Sequence, residues 1–126
     1  VQGLIIRRSS FEEIAPLKAN AEAEDLCFSD NTIYYGAYRY GEQLLGFGGI
    51  VWYRNKAKFK NVYVLPEYRG NGIFRLIFNH RFKIVALSGI KKIEATCTEM
   101  SLPLYLKLGA KITKEYKKFK KVEIDL

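Results

Sequence analysis

The sequence predicts one α+β domain: a mixed, mostly antiparallel sheet of six or seven strands flanked by about four helices. Three observations carry this reading. Residues 33–40, 44–53 and 58–64 are runs rich in β-branched and aromatic side chains, separated by short turns at 41–43 and 54–56. Three such runs in succession make an antiparallel meander. An apolar stretch of helical length, 71–88, then lies between the third run and a further strand at 92–96. Strand, helix, strand implies a parallel crossover. Finally, Gly89 and Gly109 stand where the two later helices should stop, as C-terminal glycines do.

The remaining elements follow in chain order. Residues 4–7 read as a first strand. Ser9 or Ser10 caps a helix, because Glu12 and Glu13 fall in its first turn, where the helix dipole favours acid. That helix runs toward residue 20, although Pro16 must break or shorten it. A second short helix is expected at 21–27. In the long helix, Ile73, Ile77, Ile84 and Leu87 recur at helical spacing, and Phe74, Phe78 and Val85 widen the stripe. Residues 101–108 form a short helix, and 111–126 supply one or two final strands.

Composition bounds the function. The chain has 126 residues, 48% of them hydrophobic, enough for the core of one domain. Its apolar runs fall far short of the roughly 20 residues that span a bilayer, and "VQGLIIRR" is too short in its apolar part for a secretory signal. No membrane role is expected. Cys27 and Cys97 make neither a disulfide framework nor a metal-ligand spacing. Both read as small buried apolar residues of a reduced, cytoplasmic protein, and no metal is expected. The net charge of +8 gathers at the C-terminus in "KITKEYKKFKK". Lys117, Lys118, Lys120 and Lys121 there read either as the solvated face of a hairpin or as a patch for an anionic partner.

The most informative stretch is "VYVLPEYRGNGIF", residues 62–74. A strand ends at a proline and passes to a helix whose entrance, Arg69-Gly70-Asn71-Gly72, is nearly free of side chains. A helix N-terminus presents unpaired N–H groups and partial positive charge, so an anion can sit on the backbone there. Arg69 adds formal charge at the rim. The physical reading is a phosphate or pyrophosphate cradle; the alternative is a structural turn. The Gly-Lys-Ser/Thr ending of a nucleotide P-loop and the three-glycine spacing of a dinucleotide fingerprint are both missing.

This stretch resembles the acetyl-CoA-binding motif of the GNAT superfamily of N-acetyltransferases, Arg/Gln-x-x-Gly-x-Gly/Ala after a "V-x-P-x-Y-R" lead-in. Val64, Pro66, Tyr68 and Arg69 match the lead-in, and Arg69 and Gly72 match the core. Phe74 stands where the family has a small residue. "LYLKLGA", residues 104–110, resembles a second family segment, and places Tyr105 where many members carry a tyrosine that protonates the leaving thiolate. Thr98 replaces the family's usual asparagine.

The resemblance implies a GNAT-like sheet splayed between its two central parallel strands, here 58–64 and 92–96. It implies an acetyl-CoA-dependent N-acyltransferase that moves an acetyl group to a primary amine by direct transfer. The diphosphate would lie on the N–H groups of Gly70, Asn71, Gly72, Ile73 and Phe74, beside Arg69. The pantetheine arm would pair with the strand at Val62, Tyr63 and Val64, whose freed backbone groups need partners. The Val64 N–H is the candidate oxyanion donor, and Tyr105 the candidate general acid. For the base, Glu99, Glu67, Tyr63 and a water relay stay open. His80 reads as a surface or packing residue, and Cys97 as an unused thiol.

The acceptor is a small-molecule or protein amine. The first helices carry Glu22, Glu24, Asp25 and Asp30, which either suit a cationic amine or form an ordinary solvated face. Two rival readings use the same scaffold. One is a nucleic-acid-binding or DNA-modifying protein of the kind found in phages, its basic tail gripping phosphate while Tyr116 and Phe119 stack bases. The other is a non-catalytic CoA-binding domain, suggested by Phe74 and Thr98. Aromatic-rich exposed strands, at 33–40 and near the C-terminus, predict a homodimer.

Overall fold

The structure, a computed structural model, describes residues 2–29 and 31–126, with side chains for all of these but Asn61. Asp30, one of the four acids that read either as suiting a cationic amine or as a solvated face, lies outside the described residues. Seven strands form one sheet: β1 (Leu4–Ser9), β2 (Ile33–Arg39), β3 (Gln43–Trp52), β4 (Ala57–Val64), β5 (Lys92–Cys97), β6 (Lys111–Glu115) and β7 (Lys120–Asp125), in the spatial order β1-β2-β3-β4-β5-β7-β6. All neighbours run antiparallel except β4 and β5. The helices are α1 (Phe11–Ile14), α2 (Lys18–Glu22), α3 (Ile73–Ser88) and α4 (Leu102–Lys107).

Local chemistry explains the element boundaries. Ser10 caps α1 through a capping box: its hydroxyl accepts from the Glu13 N–H at 3.2 Å, and the Glu13 carboxylate accepts from the Ser10 N–H at 3.0 Å. Pro16 sits in a 3-10 turn, Ala15–Leu17, that separates α1 from α2. The expected helix over 21–27 does not form. After Glu22 the chain turns, with Asp25 at φ 67, a left-handed conformation that aspartate tolerates better than most residues. The turn lets Leu26 and Phe28 fold back on a core of Ile14, Leu17, Ala21, Tyr34, Phe47 and Tyr63, on the side of the sheet that α1 and α2 cover.

On the other side α3 buries Ile73, Ile77, Phe78, Arg81 and Val85. Leu87, expected in this stripe, is 87% exposed. The buried face repeats every four residues from Ile73 through Ile77 and Arg81 to Val85, and Leu87 falls two residues beyond it. An arginine in an apolar stripe reads as an interruption in a sequence; here it is as enclosed as Ile77 and Val85, at 0% exposure, and is the largest of the fully buried side chains.

The site depends on β4. It pairs with β3 from Trp52↔Ala57 to Gly46↔Val64, with a shift in register between Phe47 and Gly49. Its parallel pairing with β5 spans only Ala57↔Ile93, Lys58↔Glu94 and Phe59↔Ala95. At that end the strands are pinned by Glu94, which accepts from Lys56 Nζ at 2.7 Å and has its carboxyl pKa lowered chiefly by that bond. Beyond Phe59 they part, which is the expected splay.

The edges differ from expectation. Strand β2, expected as an exposed aromatic surface, lies between β1 and β3 with Tyr34, Tyr35 and Tyr38 buried. Antiparallel partners on both sides put its aromatic rings into the two faces of the sheet. The edges are β1 and β6, and β6 carries Lys111, Lys114 and Glu115, charges that blunt edge pairing.

Candidate active site

The outer end of the site is the entrance to α3. After β4, a 3-10 turn at Pro66–Tyr68 leads to Gly70 at φ 82 and Gly72 at φ 80. Both are left-handed, and glycine takes this conformation without strain. A Cβ built on either would meet nothing within 4 Å, so conformation, not crowding, asks for glycine, and the space above them is open. The Leu76 N–H donates to the Gly72 carbonyl at 3.1 Å. The N–H groups of Ile73, Phe74 and Arg75 precede that bond, and no side chain caps them. An uncapped helix start facing open space fits a diphosphate.

Arg69 is not the loose rim charge expected of it. Its Nε donates to the Val64 carbonyl at 2.8 Å, and its Nη2 donates to both carboxylate oxygens of Glu24 at 2.8 Å. Its guanidinium carbon also lies 5.4 Å from the centre of the Tyr63 ring. Arg69 thereby fastens the end of β4 to the turn after α2. Glu24, which reads from the sequence either as suiting a cationic amine or as part of a solvated face, is Arg69's partner. Asn71 Nδ2 donates to the Tyr68 carbonyl at 3.0 Å and braces the loop. The Phe74 ring packs inward against the core on the α3 side.

The inner end is a box of rings where β4 and β5 part. Tyr105, on α4, is 3% exposed and meets the Phe78 ring edge-on, centroids 5.1 Å apart and planes at 90°. Phe78 in turn meets Phe59 at 5.5 Å, and Phe59 is the last residue of β4 paired with β5. Burial pushes the Tyr105 phenol up to about 12, while the neighbouring Arg81 guanidinium pulls it down. The hydroxyl therefore keeps its proton at neutral pH. Arg81 lies 4.3 Å from the Phe59 ring centre and donates from Nη1 to the Gly49 carbonyl at 3.0 Å. A Cβ on Gly48 would come within 3.1 Å of its guanidinium carbon; the bare backbone there makes room for the cation. Sequence reasoning missed Arg81; the signal was its place four residues after Ile77 and four before Val85.

The other candidates are dispersed. Cys97 ends β5, buried, and burial raises its thiol to about 11, so it is a poor nucleophile. Cys27, expected buried, is exposed because the turn after α2 carries it out. His80 is half-buried 5.4 Å from the Tyr35 ring, its pKa lowered by burial. Tyr63 is buried on the α1–α2 side, its pKa raised by burial. Glu67, Glu99 and Thr98 are exposed, and the Thr98 carbonyl accepts the Leu102 N–H at 3.0 Å, starting α4. In the basic hairpin, the Tyr116 and Phe119 rings lie against each other, centroids 4.6 Å apart and planes tilted by 31°. Among the described residues, no group of three or more His, Cys, Asp or Glu is placed to hold a metal, and no helix is long and apolar enough to cross a membrane.

Residues 4–110 match the profile of the acetyltransferase (GNAT) family. The chain belongs to this family. It is an acyl-CoA N-acyltransferase by that membership, and the GNAT family uses acetyl-CoA. Solved structures agree in fold. An IAA acetyltransferase from Bacillus cereus superposes with a TM-score of 0.74 at 17% identity, over 98% of this chain and 99% of that one. Mutant forms of the spermidine/spermine N-acetyltransferase SpeG from Vibrio cholerae give 0.78 at 13% identity, over 99% and 95%. The PaiA N-acetyltransferase from Thermoplasma acidophilum, solved in complex with coenzyme A, gives 0.67 at 21%, over 91% and 68%. No curated protein matches the sequence.

Proposed function

We propose that this GNAT chain acts as one domain that transfers an acetyl group from acetyl-CoA directly to a primary amine. The observation that carries this reading is the uncapped, glycine-opened start of α3 beside a β4 strand that has parted from β5. Acetyl-CoA supplies an activated thioester. The N–H groups from Gly70 to Phe74 hold its diphosphate, and the β5-facing backbone of Val62, Tyr63 and Val64 aligns its amide arm. The Val64 N–H stabilises charge on the thioester oxygen. The Tyr105 hydroxyl, protonated at neutral pH, gives its proton to the departing sulfur.

Direct transfer is favoured over an acyl-cysteine route because the Cys97 thiol stays protonated. The acceptor, a small molecule or a protein, approaches from the α1–α2 side. Glu22 and Asp25, exposed at and just after the end of α2, supply acid there, while Glu24 is committed to Arg69. The amine acted on by SpeG, a polyamine by its name, is the first class to try.

The test is calorimetric titration with acetyl-CoA, followed by thiol release against a panel that includes polyamines, small monoamines and peptide N-termini. Saturable binding with release that needs one class of amine is the expected result. Binding without release from any amine would favour a CoA-binding domain, and absence of binding would overturn the reading.

A further inference from the structure

Arg81 is the only charged side chain buried among the described residues. Its Nε and Nη2 have no hydrogen-bond partner, and only Nη1 is engaged, at the Gly49 carbonyl. No carboxylate pairs with it among the described ion pairs. An uncompensated buried cation is costly, and orphaned donors in a close-packed interior ask for a reason. The surroundings supply one. The cation lies over Phe59, where β4 and β5 separate; Phe78 and Tyr105 continue from Phe59 through ring contacts of 5.5 and 5.1 Å, and Tyr105 is near enough for the guanidinium to act on its phenol. No anion balances it among the described residues, but the reaction generates one.

We propose that Arg81 is a positioning residue for acyl transfer, a fixed positive charge set near the Tyr105 ring at the parting of β4 and β5, which balances the negative charge left on the phenol when its proton departs. The proposal rests on Tyr105 as the general acid. In the step concerned, the amine nitrogen bonds to the thioester carbon and the C–S bond breaks, its electron pair going to sulfur. The Tyr105 O–H proton passes to that sulfur and leaves a phenolate. Arg81 remains protonated throughout, so the net charge of the pair passes from positive to zero. The proton released by the amine goes to solvent, from which the phenolate is later reprotonated. A guanidinium poised before any anion exists needs no reorganisation when charge develops.

The test pairs a titration with a kinetic cycle. A fluorinated tyrosine at position 105 provides a phenol acidic enough to titrate within the stable pH range, followed by its fluorine resonance. Arg81→Met should move that titration upward by on the order of one pH unit or more, because an opposite charge has gone. Arg81→Lys, which keeps a charge, should move it less. In turnover, Arg81→Met should lose about 10- to 100-fold with acetyl-CoA affinity nearly unchanged, and the loss should largely vanish when Tyr105 is already Phe. Arg81→Gln, which removes the charge but keeps a polar group for the Gly49 carbonyl, carries the same cycle if the Met variant does not fold. An unmoved titration, or losses that simply multiply, would overturn the proposal while leaving Tyr105 as the acid. Full activity in Tyr105→Phe with a shifted titration would instead overturn the acid assignment on which it rests.

Discussion

Two arginines mark the two ends of this site, and they differ in what solvent does for them. Arg69 is partly exposed, and two of its three guanidinium nitrogens are occupied, by the Val64 carbonyl and by Glu24. Its charge is screened and its partner can be exchanged at little cost. Arg81 is fully buried, holds one carbonyl, and has no acidic partner among the described ion pairs. Its charge is unscreened, and Tyr105 and Cys97, ionisable groups of the same core, are neutral at pH 7. The outer arginine is suited to fastening a loop; the inner one to responding to a charge that appears during chemistry. Net charge, +8 for the whole chain, says nothing of this difference.

The largest effect should come at the outer end, from Gly72→Asp. It puts a carboxylate into the open cradle and opposes the diphosphate, so acetyl-CoA affinity should fall on the order of 100-fold or more. Gly72→Ala is the control: its Cβ has room, so it should cost about 1–2 kcal/mol of stability through the left-handed backbone and leave affinity nearly intact. Calorimetric titration and a melting curve separate the two, and parent-like affinity in Gly72→Asp would remove the cradle from this helix start.

Next comes Tyr105→Phe at the inner end. It keeps the ring against Phe78 and removes the hydroxyl. Turnover should fall about 10- to 100-fold with acetyl-CoA affinity unchanged. Equal losses of both would make the hydroxyl a binding group.

A smaller effect is the alkaline limit of stability. The folded protein holds the Cys97 proton up to about 11 against an ordinary 9.0, and the Tyr105 proton up to about 12 against 10.0. Raised acids contribute stability that is complete below the ordinary pKa and lost as pH climbs through the folded one. The melting temperature should therefore hold to about pH 9 and decline from there toward pH 12. Cys97→Ala should delay the onset by about one pH unit, and an unchanged onset would mean the thiol does not contribute.

The smallest effect is Glu24→Gln. Loss of an exposed ion pair should shift stability by less than about 1 kcal/mol. Freed from the carboxylate, Arg69 should turn toward the diphosphate and raise acetyl-CoA affinity about 2- to 5-fold at low salt, an effect that salt erases. Weaker binding would show that Glu24 holds Arg69 in the useful place.

How much was legible follows the range of the forces involved. Strands β2, β3 and β4, their turns, the break at Pro16, and the stops at Gly89 and Gly109 depend on side chains a few residues apart, and the sequence by itself determined them. It also determined the glycine entrance to α3, because a left-handed backbone must be written as glycine, and with it the family motif. Three things were decided by tertiary structure. The segment 24–27 is unwound because Leu26 and Phe28 pack on residues of α1, β2 and β3. Glu24 meets Arg69 across 45 residues of chain. Arg81 enters the core because Gly48 leaves it space and Gly49 offers a carbonyl, both more than thirty positions away. Propensity and periodicity describe a residue among its neighbours in the chain. Whether a buried charge is tolerated depends on which distant atoms surround it, and only the folded sheet brings those together.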